Sequence, residues 1–318
     1  MYICNKFYIM ATDINSAKAW ILAARPKTLT GAAAPVLVGA AMAWHEGGQE
    51  HFALFPALLC LLFAFIMQID ANFVNDYFDF LKGTDREDRL GPERACAQGW
   101  ITPRAMRWGI GLTTAMGCVV GILIMLWHQQ WELLAVGLCC VVFCFLYTTH
   151  LSYLGLGDVL VLVFFGIIPV GFTCYVITGG MWSAHLTLAG LAMGLATDNL
   201  LMVNNYRDRM QDRVSGKKTI VVHIINICGE ERGARVARHI YLWLGVVAAA
   251  IAWSVVGCMG SPLGALMLIY LLLHLNTFRK ICAVDGKALN RELGATARNI
   301  FIFGTLFAIA IAYSATVF

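Results

Sequence analysis

The chain has 318 residues, 59% of them hydrophobic and only 13% charged, with a mean hydropathy of +0.71. A soluble domain carries roughly twice that charged fraction, so the composition excludes a water-soluble globular protein and predicts an all-α protein that crosses a membrane many times. The formal net charge of +4 classifies nothing by itself.

The first 27 residues contain no continuous apolar core followed by a small-residue cleavage site, so no cleavable signal peptide is expected. Residues 15–24 read as a short amphipathic segment at the membrane interface, with Trp20 as a candidate anchor. About 20 apolar residues cross a bilayer. Nine stretches qualify, at approximately 28–45, 52–79, 105–127, 131–149, 155–178, 184–206, 238–258, 261–277 and 297–317. Pro35, Pro169 and Pro262 fall in or at the start of spans and are candidate kinks. The longest polar loops are 80–103, 207–237 and 278–296. They are too short to fold alone, and the first two, which directly follow acidic clusters, are expected to cap a site within a single membrane-embedded domain spanning 1–318.

All 23 Lys and Arg fall in four blocks, ending at Lys27, Arg107, Arg238 and Arg298. Nine spans place every block on one side, which the positive-inside rule makes cytoplasmic. The N-terminus is then cytoplasmic and the C-terminus outside, with Glu46, Glu50 and Glu132 in the short opposite loops. The eleven Cys form no C-x-x-C pair and no metal-ligand spacing. They read as small buried hydrophobes. A lipid bilayer is the expected surrounding, and no nucleic acid is expected as a partner.

Two acidic clusters carry the chemistry. One is Asn72-x-x-x-Asp76-x-x-Asp79-x-x-x-Gly83, and the other is Asn204-x-x-x-Asp208-x-x-x-Asp212-x-x-x-Gly216. They lie about 130 residues apart, each at the end of an apolar segment, so one half of the chain echoes the other. Side chains three or four residues apart share a helix face. Asn72, Asp76, Asp79, Asn204, Asp208 and Asp212 are therefore candidate ligands of hard divalent cations, which are commonly shared with phosphate oxygens. Lys82 and Arg86 follow the first cluster, with Asn75 inside it. Arg207, Lys217 and Lys218 accompany the second. Carboxylates that hold Mg²⁺ beside cations that take the remaining anionic oxygens suit a diphosphate. A solvated, salt-bridged helix end explains either cluster alone, but not the doubled arrangement.

Asp70, Asp158 and Asp198 lie within spans, where ionisable groups face a cavity or a partner. For Asp158, helix capping and direct ligation both fit. Tyr147 and Tyr153 fit either a cation-stabilising π face or an interfacial belt.

At these residues the chain resembles the UbiA superfamily of intramembrane prenyltransferases. The resemblance rests on ARPKTLTGAAAPVLVG (24–39), NDYFDFLKGTDREDRLGP (75–92), YLGLGDVLVLVFFG (153–166) and NNYRDRMQDRVSGKKT (204–219). Many superfamily members carry a third Asp where this chain has Gly83, with Asp85 two residues later. That departure matches the branch acting on 1,4-dihydroxy-2-naphthoate in menaquinone biosynthesis and argues against a hydroxybenzoate or protohaem assignment. The resemblance implies nine helices around a central cavity in the bacterial inner membrane, with Mg²⁺ as cofactor and a polyprenyl diphosphate as donor. It also implies attack by a ring carbon of the acceptor, with diphosphate and CO₂ leaving. Asp76, Asp79, Asp208, Asp212 and Tyr147 are the expected catalytic residues. Arg25 and Lys27 are candidate partners of the acceptor carboxylate, and fit equally as positive-inside anchors. No general base stands out. A transporter using intramembrane Asp residues is the rival from another class. Transporters place such residues near the midplane, whereas here the acidic pairs sit at helix ends beside basic loops.

Overall fold

The protein is described by a computed structural model covering residues 12–48, 50, 52–83 and 89–316. Among the described residues there are only helices and turns: α1 (Ala17–Ala24), α2 (Leu29–Gly47), α3 (Leu54–Leu81), α4 (Pro103–His128), α5 (Glu132–Leu146), α6 (Gly157–Leu162), α7 (Ile168–Thr178), α8 (Ala184–Val214), α9 (Ile220–Cys228), α10 (Glu230–Cys258), α11 (Met267–Ala283) and α12 (Leu289–Ser314). A lipid interior forces this choice, because helices satisfy their own backbone hydrogen bonds.

Local signals set several starts. The Thr102 hydroxyl accepts from Ala105 N at 3.2 Å, with Pro103 at the first helical position of α4. Ser183 caps α8 and Thr219 caps α9 in the same way.

Among the described residues, eight helical rods are long and apolar enough to cross a membrane, making this a multi-pass membrane protein. α2 occupies the position of a ninth. It has 19 residues and ends on His45 and Glu46, which lowers its apolarity. Every expected span therefore corresponds to a helix, although the count of clear spans is eight.

α8 is the central rod, and its face meets α6, α10 and α12. The main core joins Met42, Met193, Tyr270, Phe303 and Phe307. Outward residues of α4 and α5, such as Leu112, Met116, Leu123 and Leu138, are exposed, as a bilayer-facing surface requires. Two π-helical turns, Tyr147–Leu151 and Val163–Ile167, interrupt the rods on either side of α6.

One sequence expectation gains detail and one changes. Trp20 is a packing residue. Its ring packs edge-on against Phe73 at 5.3 Å and leaves no room for a Cβ at Gly109, so it joins α1 to α3 and α4. Segment 207–237 is also mostly helix rather than loop: α8 runs on to Val214, then α9 and the start of α10 follow. Apolar Val221, Val222 and Ile225 are buried on α9, and that supplies the driving force.

Candidate active site

Asp76 and Asp79 occupy the last turns of α3. Asp76 is 1% exposed, and its carboxylate accepts from the backbone N–H groups of Ala95 at 2.8 Å and Cys96 at 2.9 Å. Arg94 pairs with Asp79 at 2.8 Å. The chain after the first cluster thus folds back over the end of α3, with Ala95 and Cys96 seated against Phe73 and Ile101.

Asn72 lies one turn below Asp76. Its amide donates to Ala24 O at 2.9 Å and to Thr28 Oγ1 at 3.0 Å, tying the α1–α2 junction to α3. That brings Arg25, held at φ +50°, into the field of Asp76 and Asp79. Burial pushes the Arg25 guanidinium below its ordinary value, and Arg94 and Arg89 add to the effect. Lys27 is exposed on the neighbouring turn Pro26–Thr28. Asn75 accepts from the Thr148 hydroxyl. Lys82 donates to the carbonyls of Thr148 at 3.1 Å and Thr149 at 2.8 Å and sits 4.1 Å from the Tyr153 ring centroid. Desolvation pushes the Lys82 ammonium down, and Asp79 opposes it. Arg86 lies outside the described residues.

Asn204, Asp208 and Asp212 line one stripe of α8. Arg207, 2% exposed, forks Asp208 through Nε at 2.7 Å and Nη2 at 2.6 Å. Its Nη2 also donates to Asn204 Oδ1 at 2.7 Å, and its Nη1 to Asn290 Oδ1 of α12 at 2.8 Å. The Asn290 amide in turn donates to Leu90 O at 2.7 Å. The loop after the first cluster is therefore hydrogen-bonded to the second. Lys217 stands 3.6 Å from Asp212 and 5.4 Å from the Tyr153 centroid. Lys218 has an exposed side chain, while its N–H donates to Tyr153 O at 3.2 Å. The turn 147–156 is thus the wedge between the two clusters.

Among the described residues, no three His, Cys, Asp or Glu groups converge closely enough to hold a metal by themselves. The donor chemistry nevertheless suits Mg²⁺. That ion takes one or two carboxylates and fills its octahedron with water and substrate phosphate, rather than sitting in an all-protein cage. Two carboxylate pairs beside cations, with Asp76, Asp79 and Asp212 buried and Asp208 half-buried, provide such partial sites.

Next to the wedge lies an apolar cavity that opens to the surface. It runs between α2, α3, α4, α5 and the α6–α7 segment, lined by residues such as Phe63, Met67, Phe143 and Phe164, with Tyr147 also in its wall.

A sequence profile described as the UbiA prenyltransferase family matches residues 32–302. The chain belongs to the UbiA prenyltransferase family. It is 34% identical over 252 residues to the 1,4-dihydroxy-2-naphthoate octaprenyltransferase of Haemophilus influenzae, covering 74% of this chain and 80% of that protein. It is 37% identical over 220 residues to the protein of the same name from Escherichia coli, covering 67% and 70% respectively. The fold is similar to that of a UbiA homolog from Archaeoglobus fulgidus bound to GPP and Mg²⁺, with a TM-score of 0.59 at 13% identity over 93% of this chain and 99% of that one.

Within this prenyltransferase fold, sequence reasoning missed several members of the polar network. Arg94, the partner of Asp79, stands 15 residues further along the chain, beyond the reach of helix periodicity. Asn290 lies in another helix and has no local signal. Arg209 donates to Asp285 at 2.6 and 2.8 Å and to Glu230 at 2.9 Å, clasping α8 to the starts of α10 and α12.

Proposed function

We propose that the chain transfers a polyprenyl group from polyprenyl diphosphate to 1,4-dihydroxy-2-naphthoate, with loss of diphosphate and CO₂, giving a demethylmenaquinol, the reduced form of a demethylmenaquinone. The observation that carries this reading is the join of two carboxylate clusters and their cations to one apolar cavity through Tyr147. The names of the relatives from Haemophilus influenzae and Escherichia coli supply the acceptor.

Asp76, Asp79, Asp208 and Asp212, with Asn72 and Asn204 beside them, would hold Mg²⁺. Bound there, Mg²⁺ would neutralise the charge that grows on the departing diphosphate. Lys82, Arg207, Lys217 and Lys218 take the remaining phosphate oxygens, with Arg86 and Asn75 as further candidates. Lys82 is held by two carbonyls, Arg207 by the Asp208 carboxylate and Lys217 stands beside Asp212, so these three need little reorganisation at the moment of ionisation. The cavity receives the prenyl chain and excludes water from the allylic cation. The Tyr147 ring faces that path, where its π face stabilises positive charge. Arg25, a desolvated cation among other cations, suits the acceptor carboxylate better than exposed Lys27. The four basic blocks support a cytoplasmic position of the clusters at the inner membrane, where a diphosphate substrate can reach them.

The test is purified protein with Mg²⁺, a polyprenyl diphosphate and either dihydroxynaphthoate or 4-hydroxybenzoate, followed by the mass of the lipid product. A prenylated naphthalenediol without the carboxylate is the expected product. A prenylated hydroxybenzoate in its place would overturn the acceptor, and diphosphate release only with an ion gradient would overturn the reaction.

A further inference from the structure

One pair of carboxylates has no part in the site described so far. α6 and α8 run antiparallel and cross at unusually close range. A Cβ on Gly166 would lie 2.4 Å from Gly190 O and 2.7 Å from Gly194 Cα, and a Cβ on Gly194 would lie 2.9 Å from Leu162 Cα. The register is therefore Gly166 to Gly190, then Leu162 to Gly194, each step one helical turn along both helices. The next step brings Asp158 of α6 to Asp198 of α8. Beyond it, a Cβ on Gly157 would meet Leu201 at 3.3 Å and the Tyr147 hydroxyl at 3.9 Å.

Asp198 is 4% exposed. Among the described residues, Oδ1 of Asp158 and Oδ1 of Asp198 are both buried without a hydrogen-bond partner. Buried carboxylate oxygens left unpaired are costly, and two facing each other more so. Among the described residues, the charge acting on Asp198 is that of Asp158, and Tyr147 is the titratable group facing the pair from the π turn. Among them the pair has no cation partner and two unpaired acceptors. Asp198 shares its stripe of α8 with Asp212, 14 residues on, which is about 21 Å along the helix. This separation places the pair below the diphosphate carboxylates and directly behind Tyr147, which with Leu160 forms the cavity wall there.

We propose that Asp158 and Asp198 form the acceptor's hydroxyl site: they accept hydrogen bonds from the hydroxyl groups of a dihydroxy aromatic acid, and one of them takes the proton released on ring attack. This rests on the reading that the acceptor is such an acid. The allylic C–O bond breaks and its electron pair leaves on diphosphate. A ring carbon then forms the C–C bond, using electrons released as a ring O–H bond breaks. The proton passes to the carboxylate and leaves a ring ketone. The bond to the carboxylate carbon breaks next, CO₂ departs, and its electron pair restores the aromatic ring as the ketone oxygen recovers the proton. No oxidant is needed, and the pair ends as it began.

The test compares wild type, Asp158→Asn and Asp198→Asn in nanodiscs with Mg²⁺. Donor affinity, acceptor affinity by fluorescence titration, and single-turnover transfer from pH 6 to 10 are measured. Both variants should keep donor affinity within about twofold and lose about 10²-fold or more in transfer near neutrality, the usual range for a lost proton acceptor. That deficit should shrink as rising pH ionises the acceptor hydroxyl in solution, a recovery that a merely structural role would not give. Transfer within threefold of wild type in both variants overturns the proposal. So does a deficit that is flat with pH, or one accompanied by an equal loss of donor binding. If Asp198→Asn does not fold, Asp158→Asn, at the more exposed start of α6, decides by the same criteria. If wild type prenylates a different phenolic acid, the acceptor reading fails, and the proposal is judged on that acceptor. If wild type prenylates the dimethyl ether of the acceptor equally well, the proposal fails while the prenyl-transfer reading stands.

Discussion

Replacing Gly155 by Ala tests whether the turn 147–156 holds the two clusters together. Gly155 sits at φ +80°, and a Cβ built on it falls 2.4 Å from Lys218 O. The left-handed conformation costs an L-residue about 1–2 kcal/mol. The methyl cannot coexist with a backbone carbonyl at that distance, so the 216–218 segment must withdraw. Withdrawal breaks the 3.2 Å bond from Lys218 N to Tyr153 O, at about 1 kcal/mol net. It also draws Lys217 away from Asp212 and the Tyr153 ring. The combined cost is about 2–3 kcal/mol, and each 1.4 kcal/mol is tenfold in population. The docked arrangement should therefore fall by about 30- to 150-fold.

The assay is the KM for prenyl diphosphate, with thermal unfolding as a control. KM should rise by about 10- to 100-fold, acceptor affinity should hold, and the melting temperature should move little, because a surface turn is affected rather than the core. Gly111→Ala, in α4 with nothing within 4 Å of the new methyl, should leave both unchanged. A donor KM within twofold of wild type in Gly155→Ala would refute the wedge role of this turn.

Asp76→Asn, Asp79→Asn, Asp208→Asn and Asp212→Asn should each lower turnover by about 10²-fold or more; near-normal activity in any two would sink the two-cluster site. Asn is the better substitution at Asp76, because its amide oxygen still accepts one of the N–H groups of Ala95 and Cys96, whereas Ala would strand both at about 1–3 kcal/mol each. Lys218→Ala and Arg207→Ala should weaken the donor more than the acceptor in binding titrations. Arg207→Ala should also lower the melting temperature, since it leaves Asp208 without its buried partner. Arg209 holds the Asp285 carboxyl below its ordinary value of 3.8, so that contact stabilises the fold at neutral pH and is lost as pH falls through the depressed value. Asp285→Asn should accordingly lower stability at pH 7 and have no effect at pH 2; an equal effect at both would show that the charge is irrelevant. In a background lacking native Cys, Cys at Glu46 and Glu132 should react with an external label and Cys at Lys82 and Lys217 should not; the reverse pattern would invert the topology and close the proposed route of substrate entry.

The spans were legible because bilayer thickness imposes a length and a composition that no other constraint imitates. The acidic clusters were legible because Asp76, Asp79, Asp208 and Asp212 are near in sequence, so helix periodicity alone places each pair on one face. What surrounds them was not. Asn290 reaches Arg207 across 83 residues and Leu90 across 200, and nothing local in α12 marks it. Asp76 is held by backbone N–H groups, which every residue carries, so no residue type could announce them. Segment 207–237 read as a loop because its charges dominate a window average, yet Val221, Val222 and Ile225 bury one side of α9 between those charges.

Asp158 and Asp198 show most sharply how legibility ends. Each was visible as an acid within a span, and each alone allowed several readings. What pairs them is the register of α6 on α8. That register is set by Gly166, Gly190 and Gly194, whose missing side chains let the two backbones approach so closely. A glycine in a span signals close packing but names no partner. Only once the partner is known does the stepping of four residues along each helix carry the contact from the glycines to the two acids. The chemistry at that end of the cavity is thus specified by residues that have none of their own.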